Sequence, residues 1–222
     1  METMPSRTNK GQAMKVLVCG DSYAVTDPAF PGLHWSEKLL EMDKNIEVNN
    51  MAMGGCSNTL ITLQLMQGLK LNPNFVIFSF TNEYRYESDG NVNAIPYDLS
   101  YESMSSYLKR RYRVHPEKRN TLSENLEKIK SYFLILFCLQ MCKNNGINFC
   151  FSLGGFEYRQ DYTEVLRSNF IDNNIPDYHQ HELSLNLWYH GTKQVPRFHV
   201  ENEEVHALFA NECFSHLNKT HA

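Results

Sequence analysis

Apolar positions along the chain fall into two alternating rhythms. Four short runs rich in β-branched or aromatic residues predict strands: MKVLVCG at 14–20, IEVNNMA at 46–52, FVIFSF at 75–80 and INFCFSL at 147–153. Their largely continuous apolar character implies burial on both faces, as in a parallel sheet covered by helices. Between them the period becomes helical. Trp35, Leu39 and Met42 lie at i, i+4 and i+7 and predict a first helix over about 32–42. A second helix follows Ser57 or Asn58, either a suitable N-cap, with Leu60, Leu63 and Leu69 among its apolar positions. A long third helix takes Thr121 as its cap, with Glu124 three residues on, and stops at Asn144-Asn145-Gly146. The last begins near Asn202 and turns Val205, Leu208, Phe209 and Phe214 inward. Strands alternating with helices predict the α/β class, a three-layer α/β/α sandwich with a mostly parallel sheet.

The segment 84–120 breaks this rhythm. It is long, polar and rich in Tyr and Arg, and reads as an insertion after the third strand, helical in part over about 101–113. The first 13 residues are polar, lack the apolar segment of a secretory signal, and read as a flexible leader. Residues 14–222 then form one domain, and a hydrophobic content of 42% suffices for its core. YFLILFCL at 132–139 is far short of the roughly 20 apolar residues a membrane span needs, so no membrane partner is expected. A net charge of −4 offers no global attraction to nucleic acid.

The six cysteines, at 19, 56, 138, 142, 150 and 213, show no CxxC pair and no zinc spacing with histidine. They read as reduced, buried thiols, which together with the absent signal points to the cytoplasm. The abundance of Asn, Tyr, Phe and Lys suits an AT-rich genome such as that of a phage or virus, in which case a virion location applies.

In an open parallel sheet the loops after the carboxyl ends of the strands share one rim, and ligands bind there. After the first strand comes Gly20-Asp21-Ser22; after the second, Gly54-Gly55-Cys56-Ser57-Asn58; after the third, Thr81-Asn82-Glu83. His199 stands just before the last helix. These four motifs, in this order and at these elements, resemble the blocks of the SGNH (GDSL-type) hydrolases over residues 14–218, with the insertion outside the resemblance. The resemblance implies a flavodoxin-like SGNH hydrolase fold and an esterase with no metal or organic cofactor. It implies Ser22 as nucleophile and His199 as base. The oxyanion donors it implies are the backbone N–H groups of Ser22 and Gly55 and the side-chain amide of Asn82, with Gly54 replacing Gly55 if the register slips by one. The implied partner is a small-molecule or carbohydrate ester, O-acetylated carbohydrate by preference.

Elementary chemistry agrees with those roles. A serine hydroxyl is a poor nucleophile until a neighbouring base takes its proton, and histidine, with a pKa near 6.5, suits that task. Charge then develops on the former carbonyl oxygen and needs preorganised donors about 3 Å away. A glycine at 55 lets the backbone approach without a Cβ.

One position departs from the family pattern. The aspartate expected three residues before the histidine is Pro196 here. Ser22 and His199 then act as a dyad with a backbone carbonyl holding the imidazole, or Glu201, Glu203 or Asp177 replaces the acid, or catalysis is lost and the domain binds or builds. His206 competes with His199, but falls inside the last helix. GDS taken alone also reads as a plain junction: glycine for a positive φ, Asp and Ser for local hydrogen bonds. A phosphate-binding flavodoxin-like loop is disfavoured, because the first loop lacks the required glycines and hydroxyls. Lys109, Arg110, Arg111, Arg113, Lys118 and Arg119, interleaved with Tyr107 and Tyr112, form either a solvated face or a basic wall drawing an acidic substrate. No nucleic-acid-binding module is present to favour that partner.

Overall fold

The third residue of the strand MKVLVCG sets the pattern of the whole sheet: Val16 and Val18 face one way, Leu17 and Cys19 the other, and all four are fully buried. This computed structural model describes residues 13–28, 31–54, 56–81, 121–153, 164, 166, 169–173 and 203–219, with the side chains of 121–128 and 171 left out. The insertion at 84–120 and the leader up to residue 12 lie outside the described residues.

Among the described residues the strands are β1 (Met14–Gly20), β2 (Ile46–Asn50), β3 (Phe75–Ser79) and β4 (Asn148–Ser152). They form one parallel sheet in the order β2-β1-β3-β4. Its register pairs Val16 with Val48 and Phe75, and Ile77 with Cys150. Among the described residues the α-helices are α1 (Trp35–Met42), α2 (Asn58–Gly68), α3 (Thr121–Asn144) and α4 (Glu203–Lys219). Leu17, Cys19, Val76, Phe78, Phe149 and Phe151 pack under α2 and α3. Val16, Val18, Phe75, Ile77 and Cys150 pack under α1 and α4. The result is the expected three-layer α/β/α sandwich.

Boundaries differ from the apolar runs for identifiable reasons. The second run extends past β2 because Ala52 and Met53 are buried in the rim loop; there the Met51 and Met53 N–H groups still reach the carbonyls of Val18 (2.9 Å) and Gly20 (3.0 Å). Helix α1 starts three residues later than expected. Gly32 has φ 79°, outside helical space, and His34 is the N-cap. Glu37 completes a capping box by accepting the His34 N–H at 3.3 Å, and it also takes the Gly32 N–H at 3.2 Å. Ser57 caps α2, accepting from the N–H groups of Thr59 and Leu60. Helix α3 already includes Thr121, the residue expected to cap it. It stops where Gly146, at φ 66°, allows the Ile147 N–H to reach the Cys142 carbonyl at 3.0 Å and the Gly146 N–H that of Lys143 at 3.2 Å, a Schellman closure.

On α4 the buried stripe is Val205, Phe209, Cys213 and Leu217. Leu208, expected inside, lies about 100° round from Phe209 and is 43% exposed, while Phe214 is half-buried. Among the described residues no helix is long and apolar enough to cross a membrane.

Candidate active site

The strand order places β1 and β3 side by side although β2 lies between them in sequence, so the chain changes direction across the sheet at this pair. Such switch points leave a crevice outside the strand ends. The end of β1 leads into Gly20-Asp21-Ser22, and the end of β3 into Phe80-Thr81.

Residues 21–24 form a turn, closed by the Ala24 N–H on the Asp21 carbonyl at 3.0 Å. Asp21 Oδ1 also accepts the Tyr23 N–H at 3.0 Å, so one buried aspartate ties the turn through backbone and side chain. Ser22 occupies the first corner and is half-buried, whereas Asp21, Tyr23 and Ala24 on either side are buried. Gly20 is needed here for close approach and not for a positive φ: the glycines with positive φ among the described residues are Gly32 and Gly146. A Cβ at Gly20 would lie 2.7 Å from the Ala24 Cβ and 2.8 Å from the Ser79 Cβ.

Two carboxamides from α2 reach across to the strand ends. Gln64 Oε1 accepts the Gly20 N–H at 2.7 Å, and its Nε2 donates back to the Gly20 carbonyl at 3.1 Å. The Cys56 thiol donates to the same carbonyl at 3.3 Å. Asn58 treats Thr81 the same way: Oδ1 accepts the Thr81 N–H at 3.0 Å and Nδ2 donates to the Thr81 carbonyl at 3.0 Å. Asn58 Nδ2 also donates to Ser131 Oγ at 2.6 Å. The Thr81 hydroxyl then donates to Asp21 Oδ2 at 2.8 Å. All of Gln64, Asn58, Thr81 and Asp21 are buried.

Behind the turn, the Tyr23 carbonyl accepts from His34 Nε2 at 2.9 Å and Trp35 Nε1 at 2.8 Å. His34 Nδ1 therefore carries the lone pair and accepts the Ser36 N–H at 3.2 Å. His206 is fully buried, and its Nδ1 accepts the Trp35 N–H at 3.2 Å. That bond occupies the lone pair of its neutral ring, which a general base needs. Cys19, one residue before Gly20, is a protonated thiol, since burial pushes its pKa well above the ordinary value and the nearby Cys138, Cys142 and Cys56 add to the effect.

Of the residues singled out in the sequence, Ser22 lies at the expected rim position. Gly55, Asn82 and His199 lie outside the described residues, as do Pro196, Glu201, Asp177 and the basic cluster at 109–119. Gly54 is exposed in the β2–α2 loop. Glu203, weighed as a replacement acid, pairs with Lys38 at 2.9 Å on α1 and is 66% exposed. The sequence reading missed Asn58 as a strand-end ligand by treating it only as a possible cap. Gln64 and Thr62 within the apolar segment LITLQL were the available signal of a polar inward face. Among the described residues no group of His, Cys, Asp or Glu is placed to hold a metal ion.

No family model and no curated protein matches this chain. Solved structures do. A member of the lipolytic protein G-D-S-L family from Veillonella parvula superposes with a TM-score of 0.51 at 12% identity, over 91% of this chain and 97% of that one. A putative lipolytic protein of the G-D-S-L family from Desulfitobacterium hafniense gives a TM-score of 0.47 at 15% identity, over 91% and 99%. The order of elements, the parallel sheet and the first of these superpositions together establish that this chain has the SGNH (GDSL-type) hydrolase fold.

Proposed function

We propose that the protein is a serine esterase of the SGNH type acting on a small acyl ester, with O-acetylated carbohydrate the preferred substrate. The observation that carries this reading is the placement of Ser22 at the corner of a doubly tied turn on the switch-point rim. In the proposed reaction Ser22 Oγ attacks the ester carbonyl carbon while His199 takes its proton. The resulting oxyanion is held by the backbone N–H groups of Ser22 and Gly55 and the amide of Asn82. His199 returns the proton to the departing alcohol, and water, deprotonated by the same imidazole, releases the acyl group and restores the serine.

With Pro196 in place of the family aspartate and Glu203 engaged by Lys38, the reading assigns orientation of His199 to a backbone carbonyl, giving a dyad. Incubation with a fluorophosphonate, read by mass spectrometry, is expected to give one adduct on Ser22, and Ser22→Ala is expected to lose both the adduct and at least about 1,000-fold of p-nitrophenyl acetate turnover. Unlabelled wild-type protein with turnover equal to that of the Ser22→Ala variant would establish the alternative that Pro196 raises, an inactive binding or structural domain.

A further inference from the structure

Pairing in the sheet secures β3 only as far as its last residues: Ser79 aligns with Ser152, and the Phe80 N–H donates to the Ser152 carbonyl at 3.0 Å. At Thr81 the chain has left the ladder, yet its backbone is held on both sides by Asn58, whose carboxamide offers the donor and acceptor that a neighbouring strand would have supplied. Thr81 is also the residue whose hydroxyl reaches Asp21, and Asp21 fixes the turn that carries Ser22. Gln64, on the same helix, makes the matching two-point contact with Gly20 at the base of that turn. The bonds therefore close a ring, from Gly20 through Gln64 along α2 to Asn58, on to Thr81, across to Asp21 and back to Gly20.

We propose that Asn58 is a positioning residue for the reaction of Ser22: by gripping both backbone groups of Thr81 it sets how far the loop after β3 stands from the nucleophile turn. This rests on the esterase reading. Asn58 touches no reacting atom in this scheme and acts through Thr81 and Asp21. The next residue in the chain is Asn82, so any donor supplied from the β3 loop takes its origin from a backbone whose position Asn58 determines. Displacement of a catalytic group by about 1 Å costs up to about 100-fold in rate, which makes a rigid origin valuable. A substitution of Asn58 by Asp keeps shape and size but sets an oxygen where Nδ2 donates to the Thr81 carbonyl. Thr81→Val keeps shape and removes the hydroxyl on Asp21. Thr81→Ser keeps that hydroxyl.

The test compares wild type, N58D, T81V and T81S for the rate of fluorophosphonate labelling at Ser22 and for kcat and KM with p-nitrophenyl acetate. Thermal melts and circular dichroism establish that each variant is folded. The expected result is a fall of about 10- to 100-fold in kcat and labelling rate for N58D and T81V with KM within about twofold, and recovery of most of that loss in T81S. Amide hydrogen exchange at Thr81 is expected to quicken in N58D, a readout that needs no activity. Labelled wild type with folded N58D and T81V reacting at the wild-type rate, or T81S as impaired as T81V, overturns the inference and leaves the esterase reading intact. An unlabelled wild type overturns the esterase reading, and the positioning role with it.

Discussion

A methyl group is enough to test how tightly the turn that carries Ser22 is built. In Gly20→Ala the new Cβ would press on Ala24 and Ser79, both within 3 Å and neither at the end of a flexible side chain. Overpacking of this kind costs about 1–3 kcal/mol, so the urea midpoint of G20A is expected to fall by the corresponding amount while the unfolding slope is kept. The motif GDS was legible in the sequence, and its aspartate was read correctly as a source of local hydrogen bonds. The reason for its glycine was not legible. Both a positive φ and a close neighbour select glycine, and the neighbours here, Ala24 and Ser79, come from a turn and from another strand. Asn58 was missed for a related reason: Ser57 and Asn58 are equally good caps in sequence, and only packing shows that Ser57 caps the helix while Asn58 turns across it to Thr81.

Helix α4 carries a titrating group whose effect on stability can be signed. His216 is buried near the end of this helix, and burial lowers its pKa below the ordinary 6.5. The Lys219 ammonium lowers it further, while Glu212 and a hydrogen bond to the Asp172 backbone pull it up. The folded protein thus binds this proton less readily than the unfolded chain. Its contribution is complete above about pH 6.5, declines as pH falls below that value and levels off beneath the folded pKa. Replacement by glutamine, His216→Gln, is expected to flatten this part of the curve when urea midpoints are measured from pH 7.5 to 4.5. The existence and order of the described helices were legible because their apolar spacing is clear. Facing was harder to read wherever the apolar run is unbroken. In YFLILFCL the alternation of inside and outside leaves no polar mark, and Phe133 (59% exposed) and Phe137 (46%) face out while Ile135 and Cys138 face in.

All six cysteines are buried in the two cores that flank the sheet. Cys138 and Cys142, one turn apart on α3, are both pushed up to about 12, by burial above all. A thiol must ionise and be reached before it reacts. Native protein at pH 8 is therefore expected to show none of its six thiols to Ellman's reagent within minutes, and all six in guanidinium chloride. Reduced, buried cysteines follow from the sequence because a thiol among β-branched and aromatic neighbours has few alternatives. The sandwich was equally legible, since four apolar runs separated by helical segments admit few other architectures. The meeting of Asp21 with Thr81 and of Asn58 with Thr81 was not, because those contacts depend on β3 lying next to β1, a fact of strand order that no local pattern encodes.

That strand order also sets a timetable. Met14 can find Ile46, and Val16 can find Phe75, soon after the first third of the chain has left the ribosome. Phe75 has to wait for Asn148. Synthesis proceeds at about 5–20 residues per second, so β3 spends several seconds as an open sheet edge, with Phe75, Val76, Ile77 and Phe78 able to pair with another nascent chain. The same long separation slows refolding of the complete protein, because the closure entropy is lost before the contact repays it. The sheet that finally holds the Ser22 turn in place is thus most open to aggregation during the interval when its inner strands are formed and β4 has yet to emerge.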